Sequence, residues 1–200
     1  MLGILRTALA GPLVVVYVVS DRVVVRTDAA RWRAVHAGSR DPFDLPPGSL
    51  ADVLWLAARL PEYRSLLYYR ARHHGIVGKI AARLAAIFYP GAPGLLIGNG
   101  EIGPGLYIEH GYSSVLAAER IGRDCWINQN VTLASNRVKG ACTLGDRVYI
   151  RPGVVVLGGT HVGDDTEVGA NSVVTRDLPP GKVAVGAPAR VIRENQRTRL

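Results

Sequence analysis

The feature that most constrains this chain of 200 residues is a period of six in its second half. An aliphatic residue returns at Leu96, Ile102 and Ile108, and again at Ile121, Ile127 and Leu133. It then runs unbroken through Leu144, Ile150, Val156, Val162, Val168 and Val174. Helices repeat every 3.6 residues and strands every two, so neither accounts for the spacing. An antiparallel sheet with regular turns would not hold one aliphatic phase across six hexapeptides. The period predicts a left-handed parallel β-helix, in which each hexapeptide forms one side of a triangular coil. The aliphatic side chain fills the prism and small or polar residues turn the corner. Glycine often follows the aliphatic residue, as in Ile121-Gly122, Leu144-Gly145 and Val162-Gly163.

The first half reads differently. Its apolar stretch from Ala8 to Val19 is interrupted by Gly11-Pro12 and is too short to span a bilayer. It resembles the apolar core of a signal peptide but lacks a small-x-small cleavage site, so a buried or membrane-surface helix is expected. Thr27-Asp28 is read as a helix start, and Ser49 as the N-cap of a helix running through Trp55. Pro61 can open another helix, with Gly75 breaking it and Ile80 to Phe88 forming one more. Pro90-Gly91-Ala92-Pro93-Gly94 is a hinge on composition. The expected class is α+β: a helical region over 1–93, the β-helix over 94–192 and a tail over 193–200. The helices are expected to cap the N-terminal end of the β-helix and cover its sheet edges.

Two cysteines, Cys125 and Cys142, form no disulfide framework and have no metal-ligand spacing, which suits a reducing cytoplasm. A net charge of +8 would fit nucleic acid, yet no basic run is interleaved with aromatics, so no nucleic-acid partner is expected. A phosphorylated cosubstrate or an anionic membrane surface accounts for the charge equally well.

Two breaks in the period stand out. Ile108 to Ile121 spans thirteen residues, one more than two hexapeptides, and Leu133 to Leu144 spans eleven, one fewer. Loops that interrupt a solenoid are where sites are built. His110 opens the first break. His36, His73 and His74 lie in polar helical text, and His161 stands at a coil corner, so these four are read as surface or structural residues.

Around His110 the text Ile102-Gly103-Pro104-Gly105-Leu106-Tyr107-Ile108-Glu109-His110-Gly111 resembles the serine O-acetyltransferase family, in particular its short members from polysaccharide and natural-product gene clusters. Ile127-Asn128-Gln129-Asn130-Val131-Thr132-Leu133, Gly169-Ala170-Asn171-Ser172-Val173-Val174 and Val185-Gly186-Ala187-Pro188-Ala189-Arg190 continue the likeness. The resemblance implies acetyl transfer from acetyl-CoA to a hydroxyl, with His110 as general base and no metal. A positioned base that takes the alcohol's proton during attack contributes about 10²–10⁴-fold. Glu109 stands where the family carries an aspartate that contacts the acceptor, and Gln129 matches a family glutamine. By the same resemblance, Ala134, Ser135, Pro152, Ala170 and Arg190 line the cofactor groove between neighbouring β-helices. Such a groove implies a homotrimer, which the helical ends could double into a dimer of trimers.

Departures from the family bear on the acceptor. Its second active-site histidine and the arginine before it, which binds the substrate carboxylate, fall at Ala141 and Gly140. Arg137 or Lys139 could supply the missing cation. The aspartate that orients the family's histidine maps onto Leu95, leaving Glu101 or a backbone carbonyl for that task. A sugar, polysaccharide or natural-product O-acetyltransferase is therefore the alternative, followed by a non-catalytic scaffold. A metal-dependent β-helix enzyme would need three histidines from adjacent coils, and His110 with His161 falls short.

Overall fold

The computed structural model describes residues 11–38, 47–136, 138 and 140–196. Two compact units divide it, residues 1–93 and 94–200. In the first unit, α1 is helical over residues 11–18. It is followed by α2 (Arg22–His36), α3 (Leu50–Arg59), α4 (Pro61–Arg72) and α5 (Gly75–Phe88). Leu13, Val16 and Tyr17 of α1 are buried, so that part of the apolar N-terminal stretch faces the core; residues 8–10 lie outside the described residues.

Ser49 caps α3 as expected, in a reciprocal box with Asp52. The two hydrogen bonds from Ser49, with Arg33 nearby, hold the Asp52 carboxyl below its usual range. Pro61 occupies the first turn of α4, where its missing N–H leaves no gap in the helix. Thr27-Asp28, however, does not begin a helix. Asp21 caps α2 by accepting from the N–H of Val23 and Val24, and Asp28 sits about two turns inside. Its carboxylate is buried and takes a two-pronged contact from Arg70 of α4, at 3.0 and 3.2 Å. Two charges can enter an apolar core only when paired in this way. Beside them Trp32 packs edge-on against Tyr63, with ring centroids 5.3 Å apart. α5 also starts earlier than the sequence suggested, because Gly75, at φ +77°, serves as its first residue.

In the second unit three parallel sheets form the sides of a prism. The first side stacks Leu95–Ile97, Ser114–Leu116, Thr132–Leu133, Val155–Val156 and Val173–Val174. Glu101–Ile102, Arg120–Ile121, Thr143–Leu144 and His161–Val162 make the second. The third stacks Tyr107–Ile108, Trp126–Ile127, Tyr149–Ile150, Glu167–Val168 and Lys182–Val185, to which Arg190–Glu194 adds antiparallel. The predicted β-helix is thus present. Ile127, Leu133, Ile150, Val156, Val162, Val168 and Val174 are fully enclosed, each backed by the residue one coil away. The glycines after the second side have a steric cause: a Cβ at Gly103 would come within 2.7 Å of backbone atoms in the next coil. Left-handed residues turn two of the corners, Gly105, Asp124, Arg147 and Asp165 at one, Ser113, Asn130, Gly153 and Asn171 at the other.

The first coil departs from the simple period. Leu96, expected inside, is 57% exposed; Ile97 is the residue in register with enclosed Leu116, which the period of six passed over. With Leu116 included, the thirteen-residue break resolves into eight residues from Ile108 to Leu116 and five from Leu116 to Ile121. The other break is not a shortened pair of hexapeptides. Leu133 and Leu144 lie on consecutive sides, and the extra chain leaves the prism as a hairpin pairing Ser135–Asn136 with Gly140–Ala141.

Candidate active site

Corners between the third and first sides need six residues from one enclosed aliphatic to the next, as from Ile127 to Leu133 or Ile150 to Val156. The corner from Ile108 to Leu116 uses eight. It has a second left-handed residue to accommodate them, His110 at φ +51°, ahead of Ser113 at +53°. Non-glycine residues adopt this conformation uncommonly, so the insertion imposes it locally. His110 is thereby turned out of the coil into solvent, with no side-chain hydrogen-bond partner among the described residues. Glu101, considered for orienting it, is exposed on the second side, and no hydrogen bond joins the two among the described residues.

Glu109, by contrast, is held firmly. Trp126 Nε1 donates to its Oε2 at 2.9 Å, and Asn128 Nδ2 donates to the same oxygen at 2.6 Å. Both donors come from the next coil, where Trp126 is in register with Tyr107. The indole is itself confined between Tyr107 and Tyr149, whose rings meet it edge-on at 4.6 and 5.1 Å. A carboxylate with two donors on one oxygen keeps the other for a ligand group that donates, such as an ammonium or hydroxyl. Sequence reasoning missed Trp126 and Asn128 as parts of the site. The register of Tyr107 with Trp126 and Tyr149, residues 19 and 23 apart, exposes the clamp, and a strict period of six hides it. Asn128 Oδ1 and Gln129 Oε1 are both buried without a hydrogen-bond partner among the described residues.

The expected site residues divide between two edges. His110, Gln129, Pro152 and Ala170 each stand two residues beyond an enclosed residue of the third side, namely Ile108, Ile127, Ile150 and Val168. They descend one edge of the prism. Arg190 follows the turn Gly186–Ala189, whose backbone is bonded to Ser172 and Val173 at the foot of that edge. Ala134 and Ser135 follow Leu133 on the first side and so belong to a different edge of the same protomer. Arg137 and Lys139 lie outside the described residues. Arg151, next in the column after Glu109 and Asn128, is engaged by Glu167 at 2.7 Å and lies over the Tyr149 ring.

Neither cysteine is placed to act as a nucleophile. Cys125 is enclosed in the prism and donates to the carbonyl of Gly145 at 3.2 Å. Burial pushes the Cys142 thiol up to about 11. His161 shares a 2.9 Å contact with Thr143 Oγ1, while His36 and His73 contact carbonyls of their own helices. Among the described residues no three potential ligands gather where a metal ion could sit.

Comparison with known proteins agrees with this architecture. Residues 141–176 match the family model for bacterial transferase hexapeptide repeats. The chain is 40% identical over 151 residues to a serine acetyltransferase of Helicobacter pylori, covering 68% of this chain and 84% of that one. A galactoside O-acetyltransferase of Escherichia coli is 50% identical over 52 residues, 26% of each chain. The solved structure of soybean serine acetyltransferase complexed with serine superposes with a TM-score of 0.63 at 26% identity. That superposition covers 86% of this chain and 70% of the soybean chain. The chain belongs to the serine acetyltransferase family of hexapeptide-repeat acyltransferases.

Proposed function

We propose that the protein transfers the acetyl group of acetyl-CoA to a hydroxyl of a small acceptor, with His110 as general base. One observation carries this reading: the enlarged corner that turns His110 outward next to a carboxylate fixed by Trp126 and Asn128. An imidazole nitrogen of His110 takes the acceptor's proton as its oxygen bonds to the thioester carbon. The C–S bond then breaks, and the proton passes to the departing CoA sulfur. Backbone N–H groups of the corner can stabilise the oxyanion between those events. Direct attack needs no acyl-enzyme, in keeping with two buried thiols.

The residues present fit the donor. Pro152 and Ala170 leave the edge below Gln129 free of long side chains for an extended pantetheine arm, and exposed Arg190 offers a cation at its foot. Ala134 and Ser135 join that groove only if it is built between subunits, so the reading requires a trimer.

For the acceptor, serine is the reading from the family. Gly140 and Ala141, which stand where the family carries a carboxylate-binding arginine and a histidine, favour a sugar or other polyol as the second reading. Release of CoA thiol from acetyl-CoA, with L-serine, homoserine and a panel of sugars, separates the two. Turnover is expected to fall about 10²–10⁴-fold in His110→Ala. An undiminished rate in that variant would remove His110 from the chemistry, and absence of acetyl-CoA binding by the parent would remove the enzyme reading.

A further inference from the structure

α5 is built inside out. Its buried face consists of Gly78, Ala81, Ala82 and Ala85, small enough that a Cβ at Gly78 would run into the carbonyl of Ala71 on α4. Its large apolar residues point the other way. Ile76, Val77, Ile80, Leu84, Ile87 and Phe88 are between 50% and 72% exposed, and their spacing places them on one continuous stripe. An amphipathic helix of a globular protein turns such a stripe to the core, so a stripe facing solvent marks an interaction surface.

Charge identifies what the surface fits. Lys79 and Arg83 run along one flank of the stripe, with Arg72, His73 and His74 just before its start, all exposed. No aspartate or glutamate occurs between Glu62 and Glu101. Residues 1–93 hold 12 Lys and Arg against 6 Asp and Glu, and so carry +6 of the chain's +8. A second copy meeting the stripe through its own would set these cations against each other with no acid on either helix to answer them. An anionic lipid surface takes both halves of the pattern, apolar side chains below the headgroups and cations among them. No helix among the described residues is long and apolar enough to cross a membrane, so α5 would lie on the surface.

We infer that the exposed stripe of α5 docks this protein on an anionic bilayer, through Ile80, Leu84, Ile87 and Phe88 with Lys79 and Arg83 at the headgroups. The inference is independent of the acceptor and of His110. It places most of the chain's charge excess, +6 of +8, in the helical unit that carries the stripe.

The test is co-sedimentation of the full chain with vesicles of three parts phosphatidylcholine to one part phosphatidylglycerol, beside vesicles of phosphatidylcholine alone. Binding is expected on the mixed vesicles and should weaken when salt is raised to about 0.5 M, as screened charges lose their pull. Ile80→Glu with Leu84→Glu should lower it at least tenfold, and Lys79→Glu with Arg83→Glu should reduce it while leaving the apolar stripe intact. All four positions are exposed, and circular dichroism would confirm folding of each variant. Two results would overturn the inference. One is absence of parent binding to the mixed vesicles, whether or not light scattering shows that Ile80→Glu with Leu84→Glu lowers the particle mass; a lowered mass would assign the stripe to contact between copies. The other is binding that both double variants retain in full.

Discussion

At the scale of single residues, the site depends on how one carboxylate is held. Glu109 receives both of its hydrogen bonds on Oε2, from an indole fixed between two tyrosine rings and from a buried asparagine amide. Under the proposed function, in which Glu109 contacts the acceptor, Trp126 would be a positioning residue for the acceptor and not for the thioester. Trp126→Phe keeps the ring stack and deletes one donor, so KM for the acceptor should rise about fivefold to tenfold at the cost of one such bond. KM for acetyl-CoA should stay within twofold. Equal movement of both constants, or a fall in kcat alone, would show that the clamp serves the coil and not the acceptor. His110 and Glu109 are candidates that the Glu-His-Gly text offers by itself, since they are neighbours in the chain. Trp126 and Asn128 are not legible there, because they lie one coil away and their partnership exists only in the register of parallel strands.

At the scale of elements, the decisive quantity is which aliphatic side chains fill the prism. Ile150 is fully enclosed between Ile127 and Val168, and Ile150→Ala should cost about 2–5 kcal/mol in chemical denaturation through lost burial and an unfilled cavity. Leu96 shares its chemical type but stands outward, and Leu96→Ala should change stability by only about 0.5 kcal/mol. Comparable losses at the two positions would mean that the first coil has the register of the bare period, with Leu96 inside and Ile97 out. The period was legible wherever coils are 18 residues long, from Leu144 onward. It misled at the first coil, where Leu95-Leu96-Ile97 offers three adjacent aliphatics. Pairing with Ser114–Leu116 selects among them, and sequence spacing alone cannot. Helix caps show the same contrast. Ser49 and Pro61 announce their helices by local chemistry, whereas Asp28, a plausible cap by type, is drawn inside by an arginine 42 residues away.

At the scale of the whole molecule, the proposed donor groove would be incomplete in one protomer, since Pro152 and Ala170 lie on one edge and Ala134 and Ser135 on another. A trimer that places these edges side by side would complete it. Light scattering should accordingly return three times the 21.4 kDa protomer mass, or a multiple of that trimer. A monomer that still turns over acetyl-CoA would exclude Ala134 and Ser135 from the donor site. The helical unit adds a separate property, a basic surface with an outward apolar stripe. Its net charge could be counted from the sequence, but the direction in which α5 faces could not. Both faces of that helix read as hydrophobic, and only the close approach of Ala71 to Gly78 shows which one packs.

The sequence by itself determined the prism, its enclosed aliphatics from Leu144 onward, and the histidine beside its carboxylate. Each of these depends on a repeat or on neighbouring residues. Tertiary structure alone decided the placement of Ile97 and Leu116, the indole and amide that hold Glu109, the buried pairing of Asp28 with Arg70 and the outward stripe of α5. Each of those depends on contacts between residues far apart in the chain, where register and close packing select among side chains of the same chemical type.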